Sequence, residues 1–487
     1  MTTEALADIA SMATGGPGRQ QLPPSPGLPR VLQTAGFIFG GVPFLEAMRR
    51  RYGGAVTMTT LFDDGFVMVF DPDLVKAVFQ GPVESLHAGE ANALLGPILG
   101  DRSVLLLDGA EHLSHRRLML PFFHGRQLNA HVQTMRLCAD EEIDRWPIGK
   151  PFRLLPAMQA ITLNVMLRAV FGYELGPQRD ELAACVRSMI DPLARPRGVI
   201  ALRAVLRGRD DARAAQKFEM RRRAVDDLLY AEITRRRADP ALAGRDDVFS
   251  TLLLARDSSE QGLSDREVRD ELLTLLLAGH ETTATGLAWT LDLLLHDRRA
   301  LQRAQQRDPS YLDAVIKESL RFRTVIPGVG RVVRERPFPL GPFTVPPGME
   351  INPSIRTIHR RADLYPQPRS FRPERFLSAD APDTYTWLPF GGGTRRCLGA
   401  SFALTEMRTV LERILERTRL IPADRRRART QFRLITLGPR GGVRAIQGTA
   451  PGPALHPGLG CPGGEAEAEE SDGAREQRDQ RKGPATG

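Results

Sequence analysis

Apolar residues recur along most of this chain at the spacing of helices. Two early exceptions, VTMTT (Val56–Thr60) and FVMVF (Phe66–Phe70), flank Asp63-Asp64-Gly65, a turn sequence between two strand-like runs. From about residue 72 to 320 the pattern is helical. Between 331 and 352 it changes to short β-like runs broken by Pro and Gly, as in PFPLGPFTVPPGMEI. A further helix is predicted after Cys397 and runs to about Thr418, with Ser401, Leu404 and Met407 at helical spacing and no Pro or Gly after Gly399. The strongest helix signal starts at Ser264. There Ser264-Asp265-Arg266-Glu267 spells a capping box, in which the Ser hydroxyl meets the Glu267 amide and the Glu reaches back. Apolar residues then continue to about Asp297, which at 1.5 Å per residue is a helix of about 50 Å. A helix that long and that apolar must run through the middle of a large core. The expected architecture is mainly α with small β-sheets, in one large domain built around this helix.

The ends read differently. Residues 1–30 are rich in Gly and Pro and contain LPPSPGLP (Leu22–Pro29), a lead-in that cannot continue a helix. From 447 to 487 Gly, Pro, Ala, Glu and Arg dominate, a composition too poor in apolar surface to order itself. The domain is therefore expected over 31–446. The whole chain's 42% hydrophobic and 26% charged content is globular and excludes collagen-like and wholly disordered chains. Four cysteines, Cys138, Cys185, Cys397 and Cys461, have no paired spacing, which fits a reducing compartment and excludes a two-Cys-pair zinc site. No stretch approaches the roughly 20 apolar residues of a membrane span. The start carries acids before any base and is a poor signal peptide, so a cytoplasmic monomer is expected. Net charge is +9, from 62 Arg and 5 Lys, but aromatics are only 6% and sit in apolar runs, so nucleic acid is not an expected partner. Residues 195–223 hold ten bases against three acids among Val, Ile and Leu. That stretch is a solvated Arg-rich helix pair, a contact with an anionic membrane surface, or a patch that steers a carboxylated substrate.

Two places carry chemistry. Inside the long helix stand Gly279, Glu281, Thr282 and Thr283, all odd in a buried span. The bland reading is a tolerated Gly and a Thr hydroxyl bonded to the carbonyl four residues back, Ala278 for Thr282. The sharper one is a helix widened where a ligand lies against it, with an acid and an alcohol to relay protons. The second place is FGGGTRRCLGA (Phe390–Ala400). Three glycines would let the backbone approach something flat. Arg395 and the following helix's N-terminus would favour the thiolate of Cys397 and lower its pKa. A soft-metal ligand, a nucleophile and a structural thiol all remain open at this point, although no local His base supports the nucleophile.

Phe390-x-x-Gly393-x-Arg395-x-Cys397-x-Gly399 resembles, at every position, the haem-binding loop of the cytochrome P450 family. AGHETT (Ala278–Thr283) resembles that family's oxygen-activation motif, Glu318-Ser319-Leu320-Arg321 its E-x-x-R motif, and PERF (Pro373–Phe376) supplies Arg375 to join them. The resemblance covers residues 31–446. It implies haem b with Cys397 as axial thiolate on iron. Arg395, His112, Arg116 and Arg331 are implied as propionate partners, with His115 and Arg117 left at the surface. Glu318, Arg321 and Arg375 are implied as a structural charge network. Thr282 would hydrogen-bond dioxygen and Glu281 would deliver protons through water, while His280 has no implied role.

The implied activity is a monooxygenase that hydroxylates or epoxidises a lipophilic small molecule. Its electrons would come from NAD(P)H through a ferredoxin and its reductase or a flavodoxin, since the mapped motifs leave no room for a flavin domain. Implied pocket-lining segments are 86–105, 190–210, 281–289, 324–329 and 434–438. A haem-thiolate peroxygenase or isomerase, and a non-enzymatic haem sensor, are the alternatives.

Overall fold

The long helix predicted from Ser264 is the axis of the fold. In the computed structural model it runs unbroken over Asp265–Leu295, 31 residues, and its predicted cap is present. The Glu267 amide donates to Ser264 Oγ at 3.3 Å, and the Ser264 amide donates back to Glu267 Oε2 at 2.9 Å. The structure describes residues 21–448 apart from 124, 173–175, 194–211, 246, 257–260 and 379–380. Cys461, the C-terminal stretch from 449 and most of the Arg-rich segment lie outside the described residues.

The central helix is buried along most of its length because other helices and short strands pack along it. Leu154–Phe171 lies along it, and Ala212–Arg237, Pro309–Phe322 and Ala400–Arg417 pack around it. Leu154–Phe171 is long and apolar enough to cross a membrane, yet 72% of that window is buried inside the protein, where its apolar faces meet the central helix. The helix expected after Cys397 is Ala400–Arg417 and packs against Gly125–Ile143.

The predicted hairpin pairs Ala55–Met58 with Phe66–Val69, and the β-like runs after 331 supply Arg331–Val333 and Glu350–Pro353 to the same five-stranded sheet, with Leu86–His87 at its edge. The lead-in is packed at its inner end: Thr57 donates its amide to the Pro24 carbonyl and its hydroxyl to the Pro23 carbonyl, at 2.9 and 2.7 Å. A separate hairpin, Thr430–Arg433 with Thr436–Pro439, lies along the central helix. It is pinned there by the indole N–H of Trp289 donating to the Leu437 carbonyl at 2.8 Å.

Candidate functional site

The loop before Ala400–Arg417 is closed by its own backbone. The Cys397 amide donates to the Phe390 carbonyl at 2.9 Å and the Arg396 amide to the Gly393 carbonyl at 3.1 Å. Gly391 and Gly393 take φ of +66° and +65°, a region where a side chain would be strained. A Cβ on Gly393 would overlap the carbonyl oxygen of Phe79, and one on Gly392 would overlap the Phe79 ring. Two of the three glycines therefore make room for Phe79, on the helix Pro72–Gln80. The ring props the loop from behind.

Cys397 has an exposed surface although protein crowds it on all sides, so its sulfur opens onto an interior cleft. Burial pushes the thiol up, against the Gly399 N–H and the guanidiniums of Arg116 and Arg396, which pull it down. The expected lowering is thus overturned, because desolvation of the anion outweighs the helix and the cations. A bound metal cation reverses that balance, since a coordinating thiol is deprotonated outright.

Three guanidiniums and an imidazole converge on the cysteine side of the cleft. The helix Gly109–Met119 carries His112 and Arg116 one turn apart, strand Arg331–Val333 supplies Arg331, and the loop supplies Arg395. Burial holds Arg331 and Arg395 down at about 10 each, and Arg331 is depressed further by Arg395. His112 is pushed down to about 3 by burial and then by Arg395, Arg116 and Arg331. Its Nδ1 has no partner among the described residues. Asp108 is the acid that acts on Arg331 and Arg395. It pairs with Arg395 and accepts from the amides of Gly89 and Glu90 at 2.8 and 3.1 Å. Asp108 was missed in the sequence, where it looks like an ordinary helix cap; its carboxylate caps nothing in its own helix. One acid among four basic groups is a set that fits two further carboxylates, such as those of a haem.

The depression of His112 has a consequence for acid stability. The folded chain prefers the neutral ring down to about pH 3, whereas the unfolded chain takes up a proton below about pH 6.5. Stability is therefore whole above about 6.5 and falls as the pH drops toward the folded-state value. His112→Gln, neutral throughout, is expected to flatten this part of the acid-unfolding curve of the haem-free protein. Superimposable curves for the two proteins would remove His112 as its source.

His115, expected at the surface, is instead buried. Its Nδ1 lies 2.8 Å from Glu271 Oε1 on the central helix, whereas Arg117 is exposed as expected. The sequence offered no sign of a partner 156 residues away.

The central helix meets the cleft over one turn. Residues 268–276 and 283–295 are buried, but Ala278 is exposed and Leu277, Glu281 and Thr282 are half-buried. Thr282 donates its hydroxyl to the Ala278 carbonyl at 2.6 Å, as its position predicts. The helix is not widened. A Cβ on Gly279 would sit 2.7 Å from Met166 Sδ, so this Gly lets Leu154–Phe171 pack close. Residues 283–289, expected to line a pocket, face the core. Of segment 190–210, only residues 190–193 are described. Both oxygens of Glu281 are engaged: Gln159 Nε2 donates to Oε2 at 2.5 Å and Arg433 Nε to Oε1 at 2.8 Å.

Away from the cleft, Glu318 accepts from Arg321 Nε and Nη2 at 2.7 Å each and from Arg375 Nε at 3.1 Å. The three residues read together from the sequence are in contact.

A helical fold of this kind, with a cysteine at the head of a core helix and a buried set of cations beside it, defines a haem-thiolate protein. The chain belongs to the cytochrome P450 family, whose sequence profile matches residues 23–442. It is 40% identical over 460 residues to cytochrome P450 135B1 of Mycobacterium tuberculosis, covering 91% of this chain and 95% of that protein. It is 37% identical over 417 residues to cytochrome P450 137 of the same species, covering 84% and 86%. Among solved structures, a cyanobacterial P450 with retinoic acid bound superposes with a TM-score of 0.75 at 23% identity, over 88% of this chain and 99% of that one. A six-coordinated P450 from Thermus thermophilus gives 0.65 at 26% identity, over 84% and 98%. The family is one of haem-thiolate monooxygenases, oxidoreductases that use haem iron with an axial cysteine thiolate.

Proposed function

We propose that residues 31–446 form a cytoplasmic, monomeric monooxygenase that hydroxylates or epoxidises a lipophilic small molecule. It draws electrons from NAD(P)H through a separate ferredoxin and its reductase, or a flavodoxin. The observation that carries this reading is the pairing of the Cys397 sulfur with a cation set lacking its complement of acids, in a chain of this family. Cys397 Sγ would ligate the iron, while Arg395, Arg331, Arg116 and His112 would hold the propionates. When bound, the haem supplies the activation of dioxygen and its insertion into substrate. Cys138, Cys185 and Cys397 are all unpaired thiols, as a reducing compartment requires.

The chain's own work is to orient substrate and to meter protons. Thr282 has committed its hydroxyl proton to Ala278, so Oγ1 turns its free lone pairs to the cleft and acts there as an acceptor, holding a hydroxylic donor in place. Glu281, on the same turn, is the acid that restores protons to that position.

Reconstitution tests the reading. Product should require NADPH, reductase and ferredoxin together, with NADPH consumption dependent on substrate. Product from hydrogen peroxide alone would favour a peroxygenase, and the absence of turnover with any donor a sensor. In the same assay, Thr282→Ala should raise peroxide released per electron several-fold while the substrate-induced spin-state shift keeps its midpoint. Unchanged coupling would remove Thr282 from the relay.

A further inference from the structure

The acid and the alcohol of the relay turn to different partners. Thr282 donates along its own helix, whereas Glu281 is gripped from two other elements, by Gln159 of the core helix Leu154–Phe171 and by Arg433 of the hairpin. The Glu281 and Arg433 side chains are only 13% and 16% exposed, so water screens their ion pair poorly. The other ionisable groups acting on this turn are His280, buried with neither ring nitrogen partnered among the described residues, and Arg187 and Asp191 on Pro177–Leu193. Thr162 also reaches this turn, donating to the His280 carbonyl at 3.0 Å.

The reach of Arg433 is built into the hairpin. Gly438 lies on the facing strand, and a Cβ there would sit 2.6 Å from Arg433 Cδ, so the absence of a side chain keeps open the lane along which the guanidinium crosses to Glu281. The stem is anchored at Trp289 and by the Leu437 amide donating to the Val325 carbonyl at 2.8 Å. The tip is held by packing instead, with Leu434 half-buried against the main core. Leu434, next to Arg433, is held at φ +56°, a strained value for a leucine, and Phe432 and Ile435 are exposed. A fixed stem with a strained apolar tip is an element that a lipophilic ligand can shift.

We infer that Arg433 is a positioning residue, a latch that keeps Glu281 away from the relay until substrate displaces the hairpin tip. The inference rests on the monooxygenase reading above. Each oxygen of the carboxylate is held by a donor from another element, so the group can swing toward Thr282 only if one of those donors lets go. Gln159 stands on a core helix, so Arg433 is the one that leaves. The latch keeps proton delivery closed when no substrate is present. The reaction it suppresses is the substrate-free leak, in which NADPH, dioxygen and one proton give NADP⁺ and hydrogen peroxide.

Arg433→Gln in the haem-loaded protein, with NADPH, reductase and ferredoxin but no substrate, is expected to raise peroxide-forming NADPH oxidation several-fold. Gly438→Ala, which blocks the lane and leaves Arg433 in the chain, should do the same. The two together should exceed neither alone, because both break one contact. Arg433→Lys should restore the tight resting state, since an ammonium can meet the same oxygen. Glu281→Gln in the Arg433→Gln background should abolish the gain. A substrate-free rate unchanged in both Arg433→Gln and Gly438→Ala, each with a normal carbon-monoxide difference band, would overturn the latch and leave the monooxygenase reading intact. Should Arg433→Gln fail to hold haem, Gly438→Ala decides. A wild type without that band or without substrate-dependent product defeats the earlier reading instead.

Discussion

Cys397→Ser is expected to abolish the long-wavelength Soret band of the reduced, carbon-monoxide-bound protein. That band would report a thiolate bound to the haem iron, and the other described thiols cannot take over. Cys138 is fully buried in the main core, where burial pushes it to about 12, and Cys185 lies on the separate helix Pro177–Leu193. Serine keeps the volume and the loop's hydrogen bonds, which run through the backbone, so the loss would come from the ligand and not the fold. Serine also presents a hard, neutral oxygen where the iron takes a soft anion. A band typical of histidine-ligated haem in the wild type would take Cys397 off the iron. A wild type that binds no haem would leave only the fold standing.

Glu318→Ala is expected to give haem-free, misfolded protein and not a slow enzyme. Glu318 and Arg321 are fully buried, and among the described residues Arg321 hydrogen-bonds, besides the acid, the backbone carbonyls of His359, Pro368 and Ser370. Glu318 also accepts the Arg372 amide at 2.9 Å, tying the helix Pro309–Phe322 to the segment that carries Arg375. Removing the acid strands a buried guanidinium, at a cost of about 3–5 kcal/mol. That is a large part of the roughly 5–15 kcal/mol that holds a domain together. Soluble yield and the haem-to-protein ratio check this, and a well-folded, haem-replete Glu318→Ala would remove the structural assignment.

Some features could be read early because their physics is local. The capping box at Ser264 needs only residues three apart, and the Thr282 bond to Ala278 only residues four apart, so both stand as expected. The pairing of Glu318 with Arg321 is likewise one helical turn. Local reasoning erred where the deciding partner came from elsewhere. Gly279 and Gly393 do serve close approach, but to Met166 and the Phe79 carbonyl. Helix dipole and neighbouring cations argued for a lowered Cys397 thiol, yet burial, which no short window of sequence measures, dominates. His115 looked like a surface residue until the central helix placed Glu271 against it.

The sequence by itself determined the helical class, the long core helix with its cap, the cysteine loop and the family. Each depends on periodicity or fixed spacing, and those survive in one dimension. Only the tertiary structure decided that Asp108 pairs with Arg395 and also acts on Arg331, and that Arg433 and Gln159 grip Glu281. Those contacts join residues up to 287 apart in the chain. Their energies depend on distance and desolvation, and both are set by how the elements pack.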